Sequence, residues 1–206
     1  MAYANWLNPS KTSGSGNDTV NVGANSDNTG RNARSTNMTF KAAGVADVVR
    51  QVTQAGKPEF VNIQSAAAVS KSGGTLTISG TSNSSKLTFA LASGKTLVLT
   101  LPASYTANSI ATENGAAISG DPGATAEYAF SITFTGIAEN ETINTKEAQV
   151  IVTDNAGNTA TCTVTQAEGD PTLSVTPASV QLDWNAYTEG GSASFAVTSN
   201  TNWTVE

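Results

Sequence analysis

The sequence predicts an all-β protein built from two-sheet sandwich modules. Three observations carry this: apolar residues recur with period two in many short runs, turn residues punctuate the runs, and charged residues are scarce. Period-two alternation gives a strand one apolar and one polar face, which is what each sheet of a sandwich presents to the other. Hydrophobic residues make up 38% of the 206 residues and charged residues only 13%. The remainder is rich in Thr, Ser, Asn and Gly, so the chain lacks the high charge of a disordered segment and suits short strands joined by turns.

In chain order, Val20 and Val22 alternate, then Met38 and Phe40. Val45, Val48, Val49 and Val52 have helical spacing, but the internal repeat of this chain reads 44–52 as strand. Leu76 and Ile78 share a face. Leu97, Val98, Leu99 and Leu101 form an apolar run that predicts a strand buried in a sandwich. Tyr128, Phe130, Ile132 and Phe134 alternate, as do Ala160, Cys162 and Val164, and finally Ala193, Phe195 and Val197. The turn signals between them include Ser13-Gly14-Ser15-Gly16-Asn17, Asn28-Thr29-Gly30, Ser72-Gly73-Gly74, Asp121-Pro122-Gly123, Asp154-Asn155-Ala156-Gly157-Asn158 and Glu189-Gly190-Gly191.

Landmarks repeat. Val52-Thr53-Gln54-Ala55 recurs as Val164-Thr165-Gln166-Ala167, 112 positions later. A proline comes after each, Pro58 and Pro171, then a β-rich opening, a Gly-Gly pair and a strand. Thr81-Ser82-Asn83 matches Thr198-Ser199-Asn200 in the same frame. The domain reading is therefore a complete module over 58–168, a closing half over 1–56 and an opening half over 171–206. The two halves together have the size of one sandwich domain. Each alone exposes an apolar face and an unpaired edge. Three outcomes stay open: the halves meet within one molecule, they meet between molecules by strand addition, or the chain is a piece of a longer protein.

Thr198-Ser199-Asn200-Thr201-Asn202-Trp203-Thr204-Val205 resembles the middle of a BACON domain, a small immunoglobulin-like β-sandwich common in Bacteroidetes proteins. Trp6-Leu7, Pro9-Ser10 and Ser13-Gly14-Ser15-Gly16-Asn17 resemble the next stretch of that family's pattern, and the Val-Thr-Gln-Ala ending is typical of it. The order is reversed here, with the opening piece at the end of the chain. The middle module, with its extra stretch 104–122, resembles bacterial immunoglobulin-like domains more generally. The resemblance implies an immunoglobulin-like fold and modules of the kind found in Bacteroidetes proteins and their phages, including crAss-like phage virion proteins. It implies glycan or mucin binding loosely.

Several function classes are excluded. The chain has no histidine, which removes the Ser-His-Asp and Cys-His schemes. Its one cysteine, Cys162, allows no intrachain disulfide, and zinc lacks its preferred ligands. No cofactor fingerprint is present. The net charge of -6 and ten scattered Lys and Arg offer no basic stripe, so neither nucleic acid nor an anionic membrane surface is an expected partner. No apolar run reaches the length of a membrane span. The start, from Met1 to Trp6, has no charged-then-apolar leader pattern, which predicts synthesis and folding in a cytoplasm.

Among the candidate residues, Trp6, Leu7, Trp203 and Val205 are read as core or assembly residues where the half-modules join, because buried aromatics dominate such contacts. Trp184 and Tyr187 are weak candidates for glycan contact, and Tyr105 is a candidate for exposure. Asp154 to Asn158 reads as a hairpin turn rather than a calcium loop. Glu139, Glu141 and Glu147 read as solvated surface rather than an acid pair. Cys162 reads as a small buried hydrophobe. Arg50 falls on an inward position when aligned with Cys162; a β-bulge that turns Val49 inward is the favoured reading, and a subunit contact the other.

The expectation is a non-enzymatic structural protein of a bacteriophage particle, such as a head fibre, capsid decoration or tail accessory protein, located in the virion. Its partners would be other copies of itself, as a homo-oligomer, or other virion proteins, with host or mucus glycans as a secondary ligand. The alternative is a carbohydrate-binding adhesin module on a Bacteroidetes cell surface.

Overall fold

A computed structural model describes Tyr3 to Glu206; Met1 and Ala2, the first residues of the start read for a leader, lie outside the described residues, as do the side chains of Thr188 and Glu189. The architecture is nearly all β. The N-terminal unit carries β1 (Leu7–Pro9), β2 (Val22–Ala24), β3 (Arg34–Phe40) and β4 (Val48–Gln54). The central module carries β5 (Val61–Ile63), β6 (Ala66–Val69), β7 (Gly74–Ser82), β8 (Leu87–Leu91), β9 (Ser104–Ala107), β10 (Ile110–Glu113), β11 (Tyr128–Ile137), β12 (Lys146–Asp154) and β13 (Thr159–Gln166). The C-terminal unit carries β14 (Leu173–Thr176), a single helical turn α1 (Ala186–Glu189) and β15 (Ala196–Ser199).

The central module is a two-sheet sandwich. One sheet has the order β10-β9-β11-β7-β5, the other β6-β13-β12-β8. Neighbours are antiparallel except β6, which runs parallel to β13. The alternation read from the sequence builds its core directly. Leu76 and Ile78 of β7 face in, as do Tyr128, Phe130, Ile132 and Phe134 of β11 and Cys162 and Val164 of β13; Ala148, Val150 and Val152 of β12, an alternation not marked above, join them. The Phe89 ring sits 4.9 Å from that of Tyr105 and 5.8 Å from that of Phe130, in tilted and edge-to-face contacts. Tyr128 donates its hydroxyl to the Ser84 carbonyl at 2.8 Å, and its burial pushes the phenol well above its ordinary pKa.

Three expectations change. The run from Leu97 to Leu101 forms no ladder strand: Leu97 and Leu99 are buried and Val98 is 82% exposed, but β8 already holds the edge of β12 from Val150 to Asp154. The run is left with the Glu147 end, where the Leu97 amide donates to the Glu147 carbonyl at 2.9 Å. Tyr105 is buried rather than exposed, because β9 alternates with Tyr105 and Ala107 facing the core. Arg50 lies on no bulge. The β3–β4 ladder runs unbroken from Arg34 opposite Gln54 to Phe40 opposite Val48, with Met38 opposite Arg50. Arg50 holds the Cys162 position in register, opposite the buried Met38, but its own side chain is exposed.

Cys162 is fully buried, and burial pushes its thiol up. A thiol reagent is expected to modify it only at the rate at which the central module opens globally. Labelling of the native protein as fast as a free thiol would contradict this packing.

Candidate functional site

The two joints between units are the most constructed polar features of the molecule, and they are copies of each other. At the first, Asn28 Nδ2 donates to the carbonyls of Asn32 at 2.8 Å and Ala55 at 3.1 Å. At the second, Asn140 Nδ2 donates to the carbonyls of Asn144 at 2.8 Å and Ala167 at 2.9 Å. Every one of these residues is displaced by the same 112 positions as the Val-Thr-Gln-Ala landmark. That landmark's glutamine has a job here. Gln54 Nε2 donates to the Ser26 carbonyl at 3.2 Å, and Gln166 Nε2 to the Ala138 carbonyl at 2.8 Å, tying the last strand of a unit to the loop before its joint.

A second asparagine reaches across each joint from the following unit. Asn83 Oδ1 accepts the Phe60 amide at 3.0 Å, and Nδ2 donates to the carbonyls of Thr29, Lys57 and Pro58 at 3.2–3.3 Å. Asn200 Oδ1 accepts the Thr172 amide at 2.8 Å, and Nδ2 donates to the carbonyls of Glu141 and Asp170 at 2.8 and 2.9 Å. The preceding serine acts alike in both: Ser82 Oγ donates to the Phe60 carbonyl and Ser199 Oγ to the Thr172 carbonyl. Linker backbones would otherwise leave amides and carbonyls unpaired, and one amide side chain settles several of them.

The first joint carries an extra clasp. Arg31 donates to the Asn83 carbonyl at 2.8 Å and pairs with the Asp121 carboxylate. The Arg31 and Asn32 amides donate to the carbonyls of Gly123 and Ala124 at 2.9 and 3.0 Å. The approach is so close that a Cβ on Gly30 would stand 2.2 Å from the Thr125 carbonyl carbon, and one on Gly123 would stand 2.0 Å from the Asn83 carbonyl oxygen. The second joint has the Lys71–Asp170 ion pair instead.

The repeat extends to strand register. Leu173 opposite Ser199 and Val175 opposite Val197 reproduce Val61 opposite Ser82 and Ile63 opposite Gly80. Arg34 opposite Gln54 and Met38 opposite Arg50 reproduce Lys146 opposite Gln166 and Val150 opposite Cys162. The terminal units thus repeat, in register, the closing and opening ladders of the central sandwich. Their faces differ in cover. Trp6, Leu7 and Met38 pack together with Tyr3, Ala4, Val20 and Val52, and the Arg34 guanidinium lies 4.9 Å from the Trp6 ring centre. Beside them opens a cleft of about 530 Å³ lined by Tyr3, Pro9, Val20, Met38 and Phe40 among others. Trp203 is 49% exposed and Val205 84%. The structure does not bring Trp203 and Val205 to Trp6 and Leu7. The two joints lie at opposite ends of β7, one beyond Ser82 and the other beside Gly73, roughly 25 Å apart at strand rise.

Trp184 and Tyr187 stand three positions apart at the start of α1, 97% and 99% exposed. They lie in a segment longer than its counterpart between Pro58 and Gly73. Asp154 closes the β12–β13 hairpin: its carboxylate accepts the Asn158 amide at 2.8 Å and side chain at 2.7 Å. Glu147 pairs with Lys95 at 2.6 Å. Among the described residues, no group of three or more Asp, Glu or Cys is placed to hold a metal ion.

The sequence marked Asn83 and Asn200 only as register landmarks, and Asn28 only as part of a turn. The signal available was that Asn28, Asn32 and Ala55 all recur at the landmark's own displacement. No curated protein matches the chain. Residues 1–55 match the model of the BACON family, described as "Putative binding domain, N-terminal", and this part of the chain is a BACON-type segment.

Proposed function

We propose that this protein is a non-enzymatic building element: a stack of immunoglobulin-like sandwiches, set at a fixed repeat by a rigid joint, that forms part of a larger extracellular structure. The observation that carries this is the duplicated asparagine joint, in which Asn28 and Asn83 recur as Asn140 and Asn200 with partners at equivalent positions, the Lys57 carbonyl excepted. Flexible tethers leave inter-module angles free, whereas these bonds fix them. A bacteriophage particle, with this chain as fibre or decoration, is the setting we favour; its modules would work through copies of themselves or other virion proteins.

A second reading, a carbohydrate-binding adhesin of a bacterial surface, is supported by the exposed Trp184 and Tyr187 pair and by the binding-domain description of the family matched at 1–55. Aromatic faces in water suit the apolar faces of sugar rings.

Quantitative mass spectrometry of purified phage particles and of host cell envelopes separates the two. The structural reading expects the chain at fixed stoichiometry in particles. Recovery from envelopes alone, with glycan retention lost in the Trp184→Ala, Tyr187→Ala double variant, favours the adhesin. Turnover of a glycan substrate by the purified chain removes both.

A further inference from the structure

The apolar positions of the two terminal units correspond, by the repeat, to positions that face each other inside the central module. In it, β11 pairs with β7 so that Ile132 stands opposite Ile78 and Phe134 opposite Leu76. In the other sheet, β12 pairs with β8 so that Val152 stands opposite Phe89. All six side chains are at most 8% exposed. By the repeat, Val20 and Val22 take the places of Ile132 and Phe134, and Phe40 takes that of Val152. On the other half, Phe195 and Ala193 take the places of Ile78 and Leu76. The loop after Asn200 is one residue shorter than the loop after Asn83 when the apolar alternation is matched, which puts Trp203 at Leu87 and Val205 at Phe89. In the terminal units Val22, Phe40, Phe195 and Val205 are 42–84% exposed.

We propose that a second copy of this chain covers both faces, the N-terminal unit of one copy seated on the C-terminal unit of the next, head to tail. The register comes from the central module: Val20 opposite Phe195, Val22 opposite Ala193, and Phe40 opposite Val205. Charge favours the same pairing. Residues 1–56 hold five basic side chains (Lys11, Arg31, Arg34, Lys41 and Arg50) against three acidic ones, while 171–206 hold Asp183, Glu189 and Glu206 and no basic residue. Like units repel or gain nothing by charge, and unlike units attract. Closure within one molecule is blocked, because the units flank the central sandwich from opposite ends of β7. A head-to-tail contact between identical chains is heterologous, so it propagates into rings or fibres. This inference rests on the building-element reading and names its partner.

The test uses two variants of the full chain, Phe40→Asp and Val205→Asp, each on an exposed position of a different half. Light scattering over a wide concentration range is expected to show wild-type mass growing beyond one chain. Each variant alone should stay monomeric, since each has lost one half of every contact. Mixed in equal amounts, the two should form dimers and stop there, because the intact C-terminal unit of Phe40→Asp meets the intact N-terminal unit of Val205→Asp. Three results overturn the proposal: wild type monomeric at every concentration, either variant associating alone like wild type, or a mixture that stays monomeric. Wild type that stays monomeric while the chain sits in particles at fixed stoichiometry removes the second copy as partner and leaves the structural role standing.

Discussion

Asn83→Leu is expected to destabilise the central module by about 3 kcal/mol, whereas Asn200→Leu should cost less than about 1 kcal/mol. The two residues make the same kinds of bond, so the contrast isolates burial. Asn83 is fully buried and satisfies the Phe60 amide and three carbonyls. A leucine of similar size leaves the buried Phe60 amide without its partner, a loss of about 1–3 kcal/mol, and the three long bonds to carbonyls, at 3.2–3.3 Å, put the total at the top of that range. Asn200 is only partly buried, and its bonds to Glu141 and Asp170 lie at an exposed groove where water replaces the amide. Urea titration of both variants checks this: the midpoint should fall sharply for Asn83→Leu at unchanged slope. Equal small shifts would show that the joint's bonds are idle.

Phe89→Ala is expected to have the larger effect, about 3–5 kcal/mol, a large share of the roughly 5–15 kcal/mol that holds a typical domain folded. The Phe89 ring is 2% exposed and bridges the sheets, touching Tyr105 of β9 and Phe130 of β11. Neither the strands around it nor the loop 96–101 can collapse into so large a void without breaking ladder bonds. Trp203→Ala in the isolated chain should change stability by under about 1 kcal/mol, because half of that ring is already in water. Calorimetry of the two variants decides. A large loss at Trp203 would mean that its face is covered in solution.

Where period-two alternation coincides with ladder pairing, sequence and structure agree closely: β7, β11 and β13 bury the side chains that their patterns mark, whereas the pattern of β12 went unread. The repeat was legible because it lies in identities, and the β3–β4 and β12–β13 ladders keep one displacement throughout. What was hidden is tertiary. A side-chain amide reveals nothing about which carbonyls will approach it, so Asn28 looked like any turn residue. The hairpin of β9 and β10 was missed because its turn, Asn108 and Ser109 at φ 48° and 65°, lacks the glycine that usually announces positive φ. Arg50 misled because an inward register position was equated with burial, although the small core of Trp6, Leu7 and Met38 leaves the Arg50 side chain exposed. Trp6 and Leu7 lie in a small core, while Trp203 and Val205 lie in none formed by this chain alone.

The parallel pairing of β6 with β13 has a mechanical consequence. Tension along the chain enters the central module before β6 and leaves it after β13. It therefore pulls the two strands in opposite directions along their own length. Their backbone bonds, bracketed by Thr163 to Ser65 at 2.9 Å and Ala167 to Val69 at 3.1 Å, are loaded together in shear instead of being peeled one by one. A module strung this way between two fixed joints yields late and all at once under load, and a fibre made of such modules would hold its length against flow until that threshold is passed.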